Sequence, residues 1–362
     1  MDRQNSITLS GITNLLESGA LLRHRGQWIL IEGPFRQVSD ANSDEITILC
    51  PDFYDLGSAR FLRGQQTHAL RGDEVKALCE NYLSQSPPVP ESLGSMNWQE
   101  PEKSDFATDL EIIQGKIQKG EIQKAVPVIF ARTSQTVTAV HRAQMLLSLI
   151  NAPPSLYVYG FWQNGEGVLG ATPETLFEYS KGTLKTMALA GTCPKEDATH
   201  REFLLQDEKE MHEHLLVLED IKSVLKPLGE IKTEGPQILE LPTLFHLFTK
   251  INVDCQRVPS FTNLIESLHP TPALGVAPRN YGYKWMEELP GQEGRARYGA
   301  PFAFLSKEEA LCLVGIRNIQ WNKASSMIGS GCGIVAASDL EREWRELYQK
   351  RLSVRKILGL NL

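Results

Sequence analysis

Residues 156–191 read LYVYGFWQNGEGVLGATPETLFEYSKGTLKTMALAG. Apolar or alternating runs, which are typical of β-strands, occupy positions 156–162, 175–179 and 184–189. Some of these runs are separated by short polar turns, Gln163-Asn164-Gly165 and Ser180-Lys181-Gly182, with the residues that tight hairpins need. This part of the chain therefore predicts antiparallel hairpins.

Helical and strand-like patterns surround these hairpins. Apolar periodicity predicts helices at 73–83, 105–119, 202–225 and 339–358. Further strand-like runs lie at 28–31, 46–49, 125–130, 310–321 and 327–335. Because blocks of strands are separated by long helices, the pattern favours an α+β fold over strict β–α–β alternation.

Length and composition place the chain among globular proteins. The 362 residues allow two domains or one large unit. An apolar fraction of 41% and a charged fraction of 22% are ordinary, which excludes a disordered chain, a collagen-like repeat and a small disulfide scaffold. A proline-rich stretch at residues 84–90 indicates a linker or a long connection.

Charge and hydropathy bear on partners and location. With 37 basic and 44 acidic residues the net charge is −7, which argues against a nucleic-acid partner. No apolar run reaches the roughly 18 residues that a membrane span needs, and the polar start Met1–Ser6 leads into no signal-peptide core. We expect a cytoplasmic protein with reduced cysteines, no membrane partner, and a monomeric or weakly homodimeric state.

Two acidic helical segments carry the first chemical signal. Glu210 and Glu213 are three residues apart, as are Glu343 and Glu346, so each pair shares one helix face. Two such pairs converging on one point would suit Mg²⁺, which prefers carboxylate oxygens. Each pair alone is more typical of a solvated helix face. Zinc is not indicated, because neither an HExxH motif nor a cysteine partner accompanies the nearby histidines.

A glycine-rich stretch, Gly329-Ser330-Gly331-Cys332-Gly333, precedes the last predicted helix. Glycines leave backbone N–H groups accessible to an anion, although a simple tight turn has the same composition. The stretch matches neither a Walker loop nor GxGxxG, so no nucleotide is indicated.

Three single charged residues interrupt apolar strands. Arg317 lies within 313–319, Lys124 opens 124–130, and Glu174 lies between two strands. A charge in such a place needs a partner or faces a cleft, and a lysine partly removed from water can act as a base. The alternative for each is a strand-end charge that reaches solvent.

Seven motifs follow one another between residues 105 and 358: Gly120–Lys124, Gly170–Glu174, Ala188–Thr192, Glu210–His214, Leu268–Leu274, Gly331–Val335 and Glu343–Glu346. In this order they resemble the chorismate-utilising enzyme family, which includes isochorismate, salicylate, anthranilate and aminodeoxychorismate synthases. The resemblance implies a single large α+β unit with two facing antiparallel sheets and outer helices. Residues 1–95 would supply the N-terminal part of that fold, and residues 96–362 the chorismate-binding catalytic region.

The resemblance also implies roles for single residues. Glu213 and Glu346 look like ligands of a Mg²⁺ cofactor, with Glu210 and Glu343 close by. Gly331 and Gly333 would offer backbone N–H groups to a substrate carboxylate, with Lys350 adding charge. The remaining substrate-binding positions are Arg317 and Tyr298 at the enolpyruvyl carboxylate, Thr192 and His246 along the ring, and Ala273 and Leu274 in the motif at 268–274.

The motif at 268–274 has the form seen in isochorismate synthases and differs from that of the amine-transferring members. Lys124 resembles the lysine that activates water, and Glu174 the acid on the opposite side. The resemblance thus implies Mg²⁺-dependent conversion of chorismate to isochorismate, by water attack at C2 and loss of the C4 hydroxyl. The product could feed menaquinone, siderophore or salicylate synthesis.

Three alternatives stay open. Salicylate synthases also eliminate pyruvate, but they tend to carry threonine where this chain has Ala273. An anthranilate- or aminodeoxychorismate-type synthase would transfer an amine. A catalytically silent chorismate-binding protein is suggested by Ala300 and Ala303, which depart from the family pattern, as do Val276 and Pro127.

Overall fold

The computed structural model describes residues 9–41, 43–57, 61–86, 96–195, 201–241, 243–292 and 294–360. The proline-rich break lies mostly outside these residues, as does the segment Met1–Ser6. The helices are α1 (Leu9–Glu17), α2 (Gly72–Gln85), α3 (Lys103–Gln118), α4 (Ala139–Ile150), α5 (Glu208–Leu225), α6 (Phe261–Leu268) and α7 (Leu340–Leu358).

The strands of the first half are β1 (Gly19–His24), β2 (Gln27–Glu32), β3 (Arg36–Val38), β4 (Thr47–Leu49), β5 (Phe61–Arg63), β6 (Gln66–Leu70), β7 (Lys124–Ala125), β8 (Val128–Thr133), β9 (Tyr157–Gln163), β10 (Glu166–Thr172) and β11 (Thr175–Ser180). Those of the second half are β12 (Thr183–Pro194), β13 (Gly229–Glu240), β14 (Leu244–Cys255), β15 (Val276–Ala277), β16 (Pro301–Leu305), β17 (Ala310–Val314), β18 (Asn318–Trp321) and β19 (Ser326–Gly331).

Two large antiparallel sheets form the framework of the described chain. The first has the order β6-β2-β1-β9-β10-β18-β19-β8, and the second the order β13-β14-β12-β11-β17-β16-β4-β5-β3. A short ribbon pairs β15 with β7. Strands that precede residue 96 lie in both large sheets, while the division of the chain at residue 95 stays a prediction.

The two sheets pack face to face. Tyr159 and Phe161 of the first sheet contact Phe302 and Phe304 of the second in one buried cluster. Helices α1, α2, α4 and α7 cover the outer face of the first sheet, and α5 and α6 cover that of the second. The predicted α+β fold with two facing sheets and outer helices is confirmed.

Local details differ from the sequence-based prediction at three places. The strand predicted at 310–321 is two strands, because the chain turns at Arg317, whose φ is 56°. The helix predicted at 202–225 begins only at Glu208, where the side chain of Asp207 accepts the backbone N–H of Glu210. The strand predicted at 125–130 is interrupted at Pro127, which has no N–H to donate.

Several of these elements had no sequence prediction. They are the helices α1, α4 and α6 and the strands β1, β3, β5, β6, β10, β13, β14, β15 and β16. The edge strand β13 is largely exposed and rich in charged residues, so it lacks the apolar alternation by which strands are recognised. Its partner β14 contains His246, one of the predicted site residues. Among the described residues no helix is both long and apolar enough to cross a membrane.

Candidate active site

A cleft between the two sheets, closed by α5 and α7, collects the predicted site residues. It is lined by Glu174, Thr192, Glu213, His246, Ala273, Leu274, Tyr298, Arg317, Gly331, Gly333 and Lys350, together with Pro173, Leu189, Ala190, Ile316 and Cys332. Lys124, Glu210, Glu343 and Glu346 do not line this cleft; all four are buried, and Lys124 contacts Glu213 of its wall.

Lys124 lies at the start of the short strand β7 and is fully buried. Its Nζ is 2.9 Å from Oε1 of Glu213, at an angle that makes the contact an ion pair and not a directed hydrogen bond. Gly333 packs against this pair so closely that a Cβ there would lie 2.6 Å from Cε of Lys124 and closer still to Glu213. Glycine at position 333 is therefore required for the lysine and the glutamate to meet.

The motif at 268–274 is tied to the same lysine. Directly after the motif, Val276 and Ala277 form β15, which pairs with Ala125 and Lys124 of β7. The backbone N–H of Gln123 donates to the carbonyl of Ala277 over 2.7 Å. Lys124 and the end of the motif at 268–274 are thus neighbours in space.

Glu174 lies in the turn between β10 and β11 and is 5% exposed. Burial raises the pKa of its carboxyl to about 7, against the opposing fields of Lys124, Lys350 and Arg317. A carboxylic acid with such a pKa is partly protonated at neutral pH and can donate a proton into the cleft.

A chain of hydrogen bonds runs from β12 through β14 to Arg317. Thr192 Oγ1 is 2.9 Å from His246 Nδ1, and His246 Nε2 is 3.4 Å from a guanidinium nitrogen of Arg317. Burial and the charge of Arg317 lower the pKa of His246 well below its usual range, so the ring is neutral. Because arginine can only donate, Nε2 accepts and Nδ1 carries the proton. The hydroxyl proton of Thr192 is then available to a ligand.

Arg317 is buried and its other nitrogen donates to Ser353 Oγ over 2.9 Å. Within the described residues it forms no ion pair, so its charge can meet a ligand carboxylate. Tyr298 lines the same end of the cleft, and burial raises the pKa of its phenol, which therefore stays protonated. Lys350 Nζ is 2.5 Å from Glu346 Oε1 and donates to the carbonyl of Gly331 over 2.7 Å.

The four glutamates of α5 and α7 come together behind the cleft. Glu210, Glu213, Glu343 and Glu346 are each at most 7% exposed. Oε2 of Glu210 accepts the backbone N–H of Thr192 over 2.7 Å, which ties this carboxylate to β12. Burial raises the pKa of Glu343, and burial also raises that of Glu210 to about 7. Burial acts in the same direction on Glu213, but Lys124 and Lys209 outweigh it and lower the pKa of Glu213.

The donor chemistry of this cluster fits a hard divalent cation. All four groups are carboxylates, and Oε2 of Glu343 is buried without a hydrogen-bond partner. In the described part of the chain, however, no three acidic, histidine or cysteine side chains form a ready-made metal site. The ammonium group of Lys209 lies between the carboxylates instead, 2.8 Å from Glu343 Oε1 and 2.9 Å from Glu210 Oε1.

Sequence reasoning missed Lys209 as a residue of this region. Lys209 is four residues before Glu213, a spacing that places an ion pair on one helix face and could have drawn attention to it. His214, which the sequence raised only as a possible zinc ligand, is buried, with Nδ1 3.1 Å from the carbonyl of Ala190 and Nε2 2.7 Å from Thr249 Oγ1. It anchors α5 to the strands that carry Thr192 and His246.

A sequence profile described as "Chorismate binding enzyme" matches residues 63–359. The chain is 33% identical over 199 residues to the salicylate biosynthesis isochorismate synthase of Pseudomonas aeruginosa, covering 53% of this chain and 42% of that protein. It is 28% identical over 271 residues to isochorismate synthase MenF of Bacillus subtilis, covering 72% and 57%. The matches thus span about half the length of these curated relatives.

Solved structures share the fold. The putative 2,3-dihydroxybenzoate-specific isochorismate synthase DhbC from Bacillus anthracis superposes with a TM-score of 0.79, covering 96% of this chain and 97% of that chain at 19% identity. At that identity the likeness concerns the fold, including the two sheets and the helices that enclose the cleft.

Proposed function

The chain belongs to the chorismate-binding enzyme family, and we propose that it is an isochorismate synthase that converts chorismate to isochorismate with the help of Mg²⁺. The observation that carries the proposal is a cleft that holds a buried carboxylic acid, Glu174, and an arginine without an ion pair among the described residues, with the buried Lys124 behind the cleft wall at Glu213. Both named relatives described above are isochorismate synthases, which supports the same reaction.

In this reaction water attacks C2 of the substrate and the C4 hydroxyl leaves. Lys124 takes a proton from the attacking water. Glu174 gives a proton to the departing hydroxyl, so one water enters and one leaves while the ring double bonds shift. General acid and base catalysis of this kind contributes on the order of 10²–10⁴-fold for each group. The pKa of about 7 for Glu174 suits the acid role at neutral pH.

Substrate binding needs positive charge at two ends, because the substrate carries two carboxylates. Arg317 and Tyr298 would hold the enolpyruvyl carboxylate, with Arg317 oriented by His246 and Ser353. Thr192 and His246 would line the ring. The ring carboxylate would contact Lys350 and the backbone of Gly331 and Gly333, near the four glutamates. Ala273 and Leu274 would form part of the wall around the substrate.

Glu213 and Glu346 would hold the Mg²⁺, with Glu210 and Glu343 beside them. When bound, the cation supplies positive charge for the substrate carboxylate and compensates the buried glutamates. Without compensation, two carboxylates of α5 and two of α7 would repel each other and the incoming dianion.

Water as the nucleophile follows from two neighbouring features. Lys124 is present, and β15, which follows the motif at 268–274, pairs with the strand that carries it. We propose isochorismate as the final product, because both relatives are named as isochorismate synthases. We also propose a reducing, cytoplasmic setting, since the described structure contains no disulfide among its six cysteines.

The test is a product assay. The protein is incubated with chorismate and Mg²⁺ in water enriched in ¹⁸O, and the products are separated and analysed by mass spectrometry. We expect isochorismate that carries the label at its C2 hydroxyl, and turnover by the Lys124→Ala variant that is lower by roughly 10²–10⁴-fold. Salicylate and pyruvate as main products would replace the proposal with a salicylate synthase. An aminated product formed only with ammonia would indicate an amine-transferring enzyme, and binding without turnover a silent binding protein.

A further inference from the structure

Lys209 of α5 lies among the carboxylates of both acidic helices. Its Nζ is 2.8 Å from Glu343 Oε1, 2.9 Å from Glu210 Oε1 and 3.8 Å from Glu213 Oε2. The side chain is only 9% exposed. One ammonium group thus connects α5 to α7. It contacts the two glutamates that would lie beside the divalent cation, Glu210 and Glu343, and it is 3.8 Å from Glu213, one of the two proposed ligands.

The charge of Lys209 is held there by its surroundings. Burial disfavours the ammonium, but the carboxylates of Glu213, Glu343 and Glu210 outweigh burial and raise the pKa of Lys209. The neighbouring cations pair with the other three carboxylates: Lys124 with Glu213, Arg342 with Glu210, and Lys350 with Glu346. Among the described residues, the cation paired with Glu343 is Lys209. Removing Lys209 would therefore leave carboxylates buried with too little positive charge.

A divalent cation and this ammonium cannot use the same oxygens. Mg²⁺ needs near-octahedral oxygen ligands at about 2.1 Å, and an ammonium group bound to those oxygens fills that space. We propose that Lys209 is an internal counter-ion that takes the place of Mg²⁺ in the metal-free protein and is displaced when the metal binds. The inference rests on the proposed magnesium site. It explains why four buried carboxylates tolerate one another without a metal.

The first test compares Mg²⁺ binding by calorimetry in the wild-type chain, Lys209→Met and the control Lys222→Met. Lys222 lies on the same helix but is paired on the surface with Glu219. We expect Lys209→Met to bind Mg²⁺ at least about tenfold more tightly, because no internal cation competes. In EDTA the melting temperature of Lys209→Met should be lower than that of the wild-type chain. Saturating Mg²⁺ should reduce this difference in melting temperature. Unchanged or weaker binding in Lys209→Met would overturn the proposal.

The second test uses only the wild-type chain and so does not depend on a variant that folds. Lysines are labelled with acetic anhydride with and without Mg²⁺, and the labelling rates are read by mass spectrometry. A displaced Lys209 should react several-fold faster in Mg²⁺ while Lys222 stays constant. An unchanged or slower rate at Lys209 contradicts displacement.

These readouts are separate from the product assay. If Lys209→Met binds Mg²⁺ more tightly and Lys209 is labelled faster in Mg²⁺, but the assay yields a product other than isochorismate, only the proposed function is refuted. Isochorismate formation with neither change would refute the role of Lys209 alone.

Discussion

Glu174→Gln is the substitution that most directly tests the buried acid. Glutamine has nearly the shape of a protonated glutamic acid but cannot ionise. In the wild-type chain burial raises the pKa of Glu174 from 4.5 to about 7. A raised pKa means that the folded state binds more protons than the unfolded state between about pH 4.5 and pH 7. Wild-type stability is therefore lost as the pH rises through this window, and the loss is complete above it.

The size of this loss of stability follows from the difference of about 2.5 between the ordinary pKa of 4.5 and the raised pKa of about 7. At 1.36 kcal/mol per unit the full cost of ionising Glu174 in the folded protein is about 3 kcal/mol. Roughly 2–3 kcal/mol of it falls between pH 5 and pH 8. The free energy of unfolding of Glu174→Gln minus that of wild type should therefore become more positive by this amount over the range. Subtracting the two free energies of unfolding removes the contributions of all other groups that titrate in the same way in both proteins.

The assay is urea unfolding followed by tryptophan fluorescence at pH 5, 6, 7 and 8 for both proteins. Glu166→Gln is the matched control, because Glu166 lies on the neighbouring strand β10 and is exposed; its difference from wild type should be flat. A flat difference for Glu174→Gln as well would refute the buried, easily protonated acid. The same variant should lose turnover, and wild-type kcat/KM should fall as the pH rises above about 7.

Three further outcomes are expected. Lys124→Ala should reduce turnover by roughly 10²–10⁴-fold while Mg²⁺-dependent chorismate binding, measured by calorimetry, persists; near-normal turnover would exclude Lys124 as the base. Glu346→Gln should raise the Mg²⁺ concentration for half-maximal activity and the KM for chorismate together, and a change in only one would contradict a shared site. Gly333→Ala should abolish activity because its Cβ collides with Glu213 and Lys124, whereas Gly115→Ala, with no atom within 4 Å of the new Cβ, should keep activity.

Much of the fold and site could be read from the sequence, because the relevant signals are local. The hairpins at 156–191 carry their own alternation and turn residues, and the glutamates of α5 and α7 occur at helical spacing. The order of the motifs, through the family resemblance, led to the prediction of two facing sheets, which the structure confirms. The roles of the individual site residues stay predictions, although eleven of the fifteen line one cleft.

Other features depend on contacts between distant segments. The strand predicted at 310–321 breaks at Arg317, which is held by Ser353 and His246 from elements that are 36 and 71 residues away. The exposed hairpin strand β13 has no apolar alternation, because one of its faces needs no core. Neither effect leaves a signal within a short sequence window.

The sequence by itself determined which residue types are available: two glutamate pairs, a lysine and a glutamate in apolar surroundings, and glycines before the last helix. Only the tertiary structure decided their electrostatic state. Burial in the cleft raises the pKa of Glu174, and the approach of α7 to α5 brings Glu343 to Lys209, a residue the pattern had left unremarked. Charge–charge energies depend on distance and on exclusion of water, and both are set by packing between segments that are far apart in the chain.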